Sequence, residues 1–261
     1  MPCPIAKLAY GLRHRLSELA TPIERYDLQI AAGAVSICPP KRQTIREFSP
    51  MFACENGSIS VYGHAMGQPK TTQIVLYKNT LFKCRLRAVF KNFDLPDLAS
   101  ESFTHFILQP FMLVLQNCNI SKHFIDTLFN KVGTVVKNVE IMNNADYRFL
   151  PRNYFAVLSM FENRSLKLLR FIVLATQFTL SDFVALTKFL GAQQQGFSLQ
   201  LVILQHCEQW DLHFPKLKLF LNERLKYCGT LPPHGCTYVY IRYRDVTHAW
   251  YSSVLGPELP K

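Results

Sequence analysis

A short pattern that returns four times between about residues 111 and 207 constrains this chain more than any other feature. It reads Leu113-Val-Leu-Gln-Asn-Cys118, Val139-Glu-Ile-Met-Asn-Asn144, Ile172-Val-Leu-Ala-Thr-Gln177 and Val202-Ile-Leu-Gln-His-Cys207, with starts 26, 33 and 30 residues apart. The first and third places are aliphatic, so a strand built on them has one apolar face. The sixth place holds Cys, Asn, Gln or Cys. There the chain must turn off the strand, and Asn or Cys can donate a hydrogen bond to backbone groups that would otherwise go unsatisfied.

Helical periods fill the gaps between the copies. Ser121 can cap a helix carrying Phe124, Ile125 and Leu128, and another follows Pro151 with Tyr154, Leu158 and Phe161 on one face. Ser181 can cap a third, with Phe183, Leu186 and Leu190 and a closing Gly191. A fourth is expected from near Pro215 with Leu217, Leu221 and Leu225, and residues 238–243 read as a terminal strand. Each unit is strand, turn, helix. The recurrence resembles leucine-rich repeats, whose units stack because none buries its apolar face alone. An ordinary α/β domain without true repetition stays open as the other reading, given the uneven spacing and Gln177. Both imply a largely parallel sheet with helices on one side.

Upstream, from about residue 48 to 93, the apolar period is that of strands. Segments 58–62, 73–77 and 81–90 are short and β-branched, aromatic or alternating, which predicts a small antiparallel meander. In the last of them Lys83, Arg85 and Arg87 alternate with Phe82, Cys84, Leu86 and Ala88, so one basic and one apolar face are expected on a single strand. With Tyr77 and Phe90 nearby, that basic row is a candidate contact for RNA. Basic residues on exposed strand faces also serve as protection against aggregation, and that reading is the stronger of the two. A nucleic-acid partner is therefore not expected.

The first 33 residues carry two helix signals. Leu8, Leu12, Leu16 and Leu19 recur at intervals of four, four and three, lining one helix face. Thr21-Pro-Ile-Glu24 then has the form of a capping box and predicts a second helix ending at Gly33, before a junction at Pro39-Pro40.

Composition excludes several classes. With 49% apolar and 18% charged residues the chain is ordered and globular, and no apolar run approaches the length of a membrane span. The opening residues lack a secretory signal, so a cytoplasmic or nuclear address and free thiols are expected for the eight cysteines. A net charge of +11 bears on solubility and attraction to polyanions, not on fold. The familiar enzyme signatures are missing: no G-x-S-x-G, no Walker loop, no G-x-G-x-x-G after a strand and no H-E-x-x-H. His206, Cys207, His213, Cys228, His234 and Cys236 gather near the C-terminus without the C-x₂-C spacing of a structural zinc site, so no metal or cofactor is expected and the chain is read as non-catalytic.

The opening segment, from Pro4-Ile-Ala-Lys-Leu8 through Leu12, Leu16 and Leu19 to Thr21-Pro22, resembles a divergent F-box of the expanded nematode type. Ahead of leucine-rich-repeat-like units, this is the layout of substrate-recognition subunits of cullin-RING ubiquitin ligases. The resemblance implies that Pro4, Ile5, Leu8, Leu12, Leu16 and Leu19 contact a Skp-type adaptor bound to a cullin scaffold, while the repeat sheet holds an unknown protein substrate. The same leucines could instead cap the repeat stack. The expected fold is thus α/β: an F-box-like helical segment at 1–47, a small β-meander and linking region at 48–103, and a leucine-rich-repeat-like α/β region at 104–261.

Overall fold

The first elements follow the helix signals. A 3-10 turn at Pro4–Lys7 leads into α1 (Tyr10–Leu19) and α2 (Pro22–Ala32). Thr21 and Glu24 close the capping box: the Thr21 amide donates to Glu24 Oε2 at 2.9 Å, and the Glu24 amide to Thr21 Oγ1 at 3.4 Å. The Thr21 amide first, and then the Thr21 hydroxyl donating to Glu24 Oε2 at 2.8 Å, hold the Glu24 carboxyl below its usual range.

The computed structural model describes residues 4–32, 44–63, 72–77, 80–142, 154–162, 164–173, 183–204, 208–229, 232–243 and 245–252. After the helices come β1 (Thr44–Glu47), β2 (Pro50–Glu55), β3 (Ser58–Gly63), β4 (Thr72–Gln73), β5 (Thr80–Cys84), β6 (Arg87–Lys91), β7 (Phe106–Leu108) and β8 (Met112–Gln116). Strands and helices then alternate: α3 (Lys122–Val132), β9 (Asn138–Met142), α4 (Tyr154–Ser159), β10 (Leu168–Val173), α5 (Phe183–Gly191), β11 (Ser198–Ile203) and α6 (Glu208–Arg224). The chain closes with β12 (Lys226–Gly229), β13 (Tyr238–Tyr243) and β14 (Val246–Tyr251).

The main sheet has the order β12-β14-β13-β11-β10-β9-β8-β6-β2-β3-β4. From β2 to β13 every neighbouring pair is parallel, and the antiparallel strands β3, β4, β12 and β14 lie at the two ends. Pairing in register stacks like residues into rows. Ala88, Leu113, Val139, Leu169, Leu199 and Val239 form one, and Phe52, Phe90, Leu115, Ile141, Phe171, Leu201 and Ile241 form the next. All are buried, and they share one core with Phe124, Ile125 and Leu128 of α3, Leu158 of α4, Leu186 and Leu190 of α5, and Leu217 and Leu221 of α6. Each such side chain contributes about 1.5–3 kcal/mol of burial, so the helices lie on one face because that is where both rows point. The mixed α/β architecture with a largely parallel sheet is as the pattern predicts.

Two of the four hexads stand in a different register from the expected one. Val139 pairs with Leu169, and Leu169 with Leu199, so the third and fourth units begin three residues before Ile172 and Val202. An odd shift reverses the faces: Ile172 and Val202 lie on the side away from the helices. The cause is that Phe171-Ile-Val and Leu201-Val-Ile are apolar on both parities, leaving only Arg170 and Gln200 to mark the polar side. A further unit precedes the first hexad, since Ala88 pairs with Leu113. Asn143, Asn144, Gln177 and Cys207 at the other sixth and fifth places, together with Gly33, Pro39, Pro40, Pro151 and Ser181, lie outside the described residues. Ser121 does cap α3, accepting from the Phe124 amide at 3.1 Å.

The region at 48–103 also departs from expectation. β2, β3 and β4 make an antiparallel meander, but residues 81–90 form two strands, not one. β5 joins a separate parallel sheet β1-β5-β7, and β6 runs parallel between β2 and β8 in the main sheet. Each strand of the small sheet precedes one of the large, so three successive turns of chain bend at a corner. Across that corner the backbone bonds continue: the Phe48 amide donates to the Lys83 carbonyl at 3.0 Å and the Phe111 amide to the Arg85 carbonyl at 2.8 Å. Aromatic side chains fill it, with Phe52 stacked on Phe90 at 5.1 Å and Phe82 on Phe106 at 5.2 Å. Continuous pairing across β6 and β8 makes these turns part of the same ladder as the later units. α6 differs too: it starts at Glu208 and carries Pro215 in its interior, with Glu208 and Asp211 favouring its positive end.

Candidate functional site

Two surfaces are built by residues that the core does not use. The first is the N-terminal helix pair. α1 has no buried residue: Leu12 is 58% exposed, Leu16 38% and Leu19 70%, with Tyr10 also open. Leu8 is half-buried beside Leu28, against a small cluster of Ile5 and Ala32. Ile5 is therefore spent inside the chain, while Pro4 lies in the 3-10 turn before α1. Polar bonds tie the end of α1 to α2. Arg25 on α2 is buried and donates through Nε to the Ser17 carbonyl at 3.1 Å and through Nη2 to the Ala20 carbonyl at 3.3 Å. A cation at the last turn of α1 meets its unpaired carbonyls and its negative end.

The second surface is the sheet face away from the helices. Its central row is Val89, Val114, Glu140, Arg170, Gln200 and Tyr240, one residue from each of six adjacent strands. Arg170 donates through Nη1 to Glu140 Oε2 at 3.1 Å and through Nε to Gln200 Oε1 at 2.9 Å. The three polar residues occupy the second place of consecutive units, a signal visible in the sequence once the third and fourth units start at Leu169 and Leu199. Reading those units from Ile172 and Val202 concealed it.

The basic row expected at 83–87 is not formed. Lys83 sits in β5, Arg85 in the bend between the sheets and Arg87 at the start of β6, and Leu86, expected on the apolar face, is 72% exposed. The bend at the corner breaks the alternation, and Arg85 lies 3.5 Å from Glu47.

A polar cleft of about 560 Å³ lies where the β2–β3 turn meets the segment after β6, lined by Cys54, Glu55, Asn56, Gly57, Asn92, Asp94 and Asp97. Its thiol is not activated: burial first, then a hydrogen bond and the negative charge of Asp97, push Cys54 above the usual thiol range. Cys84 and Cys118 are pushed up to about 12 by burial. His248 accepts or donates to the Tyr227 hydroxyl at 3.2 Å, and burial, then the charge of Lys218, lower its proton affinity. Among the described residues no group of three or more His, Cys, Asp or Glu is placed to hold a metal, and no helix is long and apolar enough to cross a membrane. Comparison with protein-family models, with characterised proteins and with solved structures gives no match, so this arrangement stands on its own geometry.

Proposed function

We propose that the chain is a non-catalytic protein-binding adaptor, the substrate-recognition subunit of a cullin-RING ubiquitin ligase. The observation that carries this reading is the leucine row of α1: Leu12 and Leu19 are mostly open and Leu16 partly so, and their spacing makes a helix face suited to a partner. A cap on the repeat stack would have buried them. In this reading α1 packs on a Skp-type adaptor, which links the chain to a cullin scaffold, and the partly open sheet face around Arg170 holds the target. The protein positions a substrate for ubiquitin transfer and makes or breaks no bond itself.

The test is co-precipitation of a Skp-type adaptor with the intact chain and with a Leu12→Asp, Leu16→Asp double variant. Capture by the parent and loss in the variant support the proposal. Equal recovery from both, or none from either, overturns it.

A further inference from the structure

Arg170 stands on β10, between β9 and β11 and near the middle of the parallel run, on the face away from the helices. Its guanidinium is held from both sides, by Glu140 at 3.1 Å and Gln200 at 2.9 Å, and Gln200 is itself tied to Ser198 Oγ at 3.3 Å. The Glu140 side chain is only 8% exposed, whereas that of Arg170 is 34% exposed. Glu140 thus acts from beneath, fixing the plane of a fork whose remaining N–H donors have no partner among the described residues. A fork oriented in advance loses little side-chain freedom when it grips a planar carboxylate.

The surroundings of Arg170 suit an apolar neighbour of that carboxylate. Met142, Leu168, Ile172 and Val202 occupy flanking positions on the same face, all partly open. Cations stand at both ends of the band. Arg87 and Lys91 on β6 have no ion-pair partner among the described residues, and Arg242 on β13 is exposed beside Asp245 at 3.1 Å. Glu140 is the sole acid on this face between β6 and β13 among the described strands.

We infer that Arg170 anchors a side-chain carboxylate of an acidic, apolar-bearing segment of a partner protein laid across the strands from β6 to β13. The segment follows the partly open row of Lys91, Gln116, Met142, Ile172, Val202 and Arg242 that flanks Arg170 and passes the buried Val114. This deepens the target-holding half of the proposed function and rests on it. At ~4.8 Å between strands the band is about 24 Å wide, which an extended segment of about eight residues spans.

The probe is an end-blocked peptide of about eight alternating Glu and Leu residues, with a Gln-for-Glu twin, titrated against the intact chain by fluorescence anisotropy. The acidic peptide should bind at least about tenfold more tightly than its twin, and Arg170→Gln should remove that preference with circular dichroism unchanged. An Arg87→Gln, Arg242→Gln double variant, both sites being exposed, should weaken binding about threefold and flatten its salt dependence even if the Arg170 variant does not fold. The Leu12→Asp, Leu16→Asp chain should bind the peptide as the parent does, which separates this site from the adaptor interface. No binding, equal affinity for the two peptides, undiminished binding by a folded Arg170→Gln chain, or tighter binding of a single-stranded RNA overturns the inference.

Discussion

Cys118 donates its thiol hydrogen to the carbonyl oxygen of Phe90 at 3.3 Å, joining the turn of one unit to the strand of the unit before it. This is the task that the sixth place of the pattern asks of its residue. The turn itself is made by Asn117, which adopts a left-handed conformation at φ 52° while its amide bonds the Met142 carbonyl of the following unit at 2.9 Å. One unit earlier Asn92 repeats both features, with φ 59° and an amide bond to the Gln116 carbonyl at 2.8 Å. Cys118→Ala removes a donor and opens a small void, and should lower the unfolding free energy by about 1–2 kcal/mol in urea titrations.

Burial of the same thiol sets a pH dependence. Cys84 and Cys118 keep their protons up to about 12 in the folded chain, whereas the unfolded chain releases them near the ordinary value of 9.0. The folded state then binds more protons than the unfolded one between those limits, so stability present below pH 9 is lost as pH rises toward 12. A urea midpoint falling across that window, less steeply in a Cys84→Ala, Cys118→Ala double variant, is the expected result.

Arg25 and the carbonyls it meets govern how α1 is held. Arg25→Ala leaves the Ser17 and Ala20 carbonyls without that partner and should speed amide hydrogen exchange across α1 by about tenfold or more, with protection in the main sheet unchanged. Exchange followed by mass spectrometry distinguishes the two regions.

Leucines on the two surfaces should behave oppositely. Leu115→Ala empties a site in the closed row and should cost about 2–5 kcal/mol, while Leu12→Asp and Leu16→Asp should each change monomer stability by no more than about 0.5 kcal/mol. Thermal unfolding of the three variants checks the contrast. A large loss from the α1 substitutions would place that helix in the core and remove the basis for partner docking.

Gly63 and Phe48 form a contact that no sequence pattern announces. A Cβ built on Gly63 would lie 1.7 Å from the tip of the Phe48 ring, which is itself packed on Phe82 at 5.3 Å. Gly63→Ala should therefore destabilise by about 1–3 kcal/mol, and Phe48→Leu in the same chain should restore part of the loss.

Local chemistry was legible in the sequence wherever neighbours along the chain suffice. The capping box at Thr21 and Glu24, the Ser121 cap, the apolar faces of α3 and α6 and the strand at 238–243 all depend on residues a few places apart. Periodicity also carried the parallel ladder, because alternating aliphatics between helices must find like strands to bury against. The Arg170 cluster was half legible: its residues recur at one place of each unit, but only after the register is known.

Tertiary structure alone decided the rest. Strands apolar on both parities, as at 171–173 and 201–203, take their register from the rows already formed beside them, and that choice turned Ile172 and Val202 outward and brought Glu140, Arg170 and Gln200 together. The bend at residues 85–86 likewise sends β5 and β6 into different sheets, since burying Phe82 and Phe90 in one aromatic cluster outweighs a continuous strand. Whether the leucines of α1 are buried or exposed was equally beyond a one-dimensional pattern, because spacing defines a face and only the packed neighbours determine what covers it.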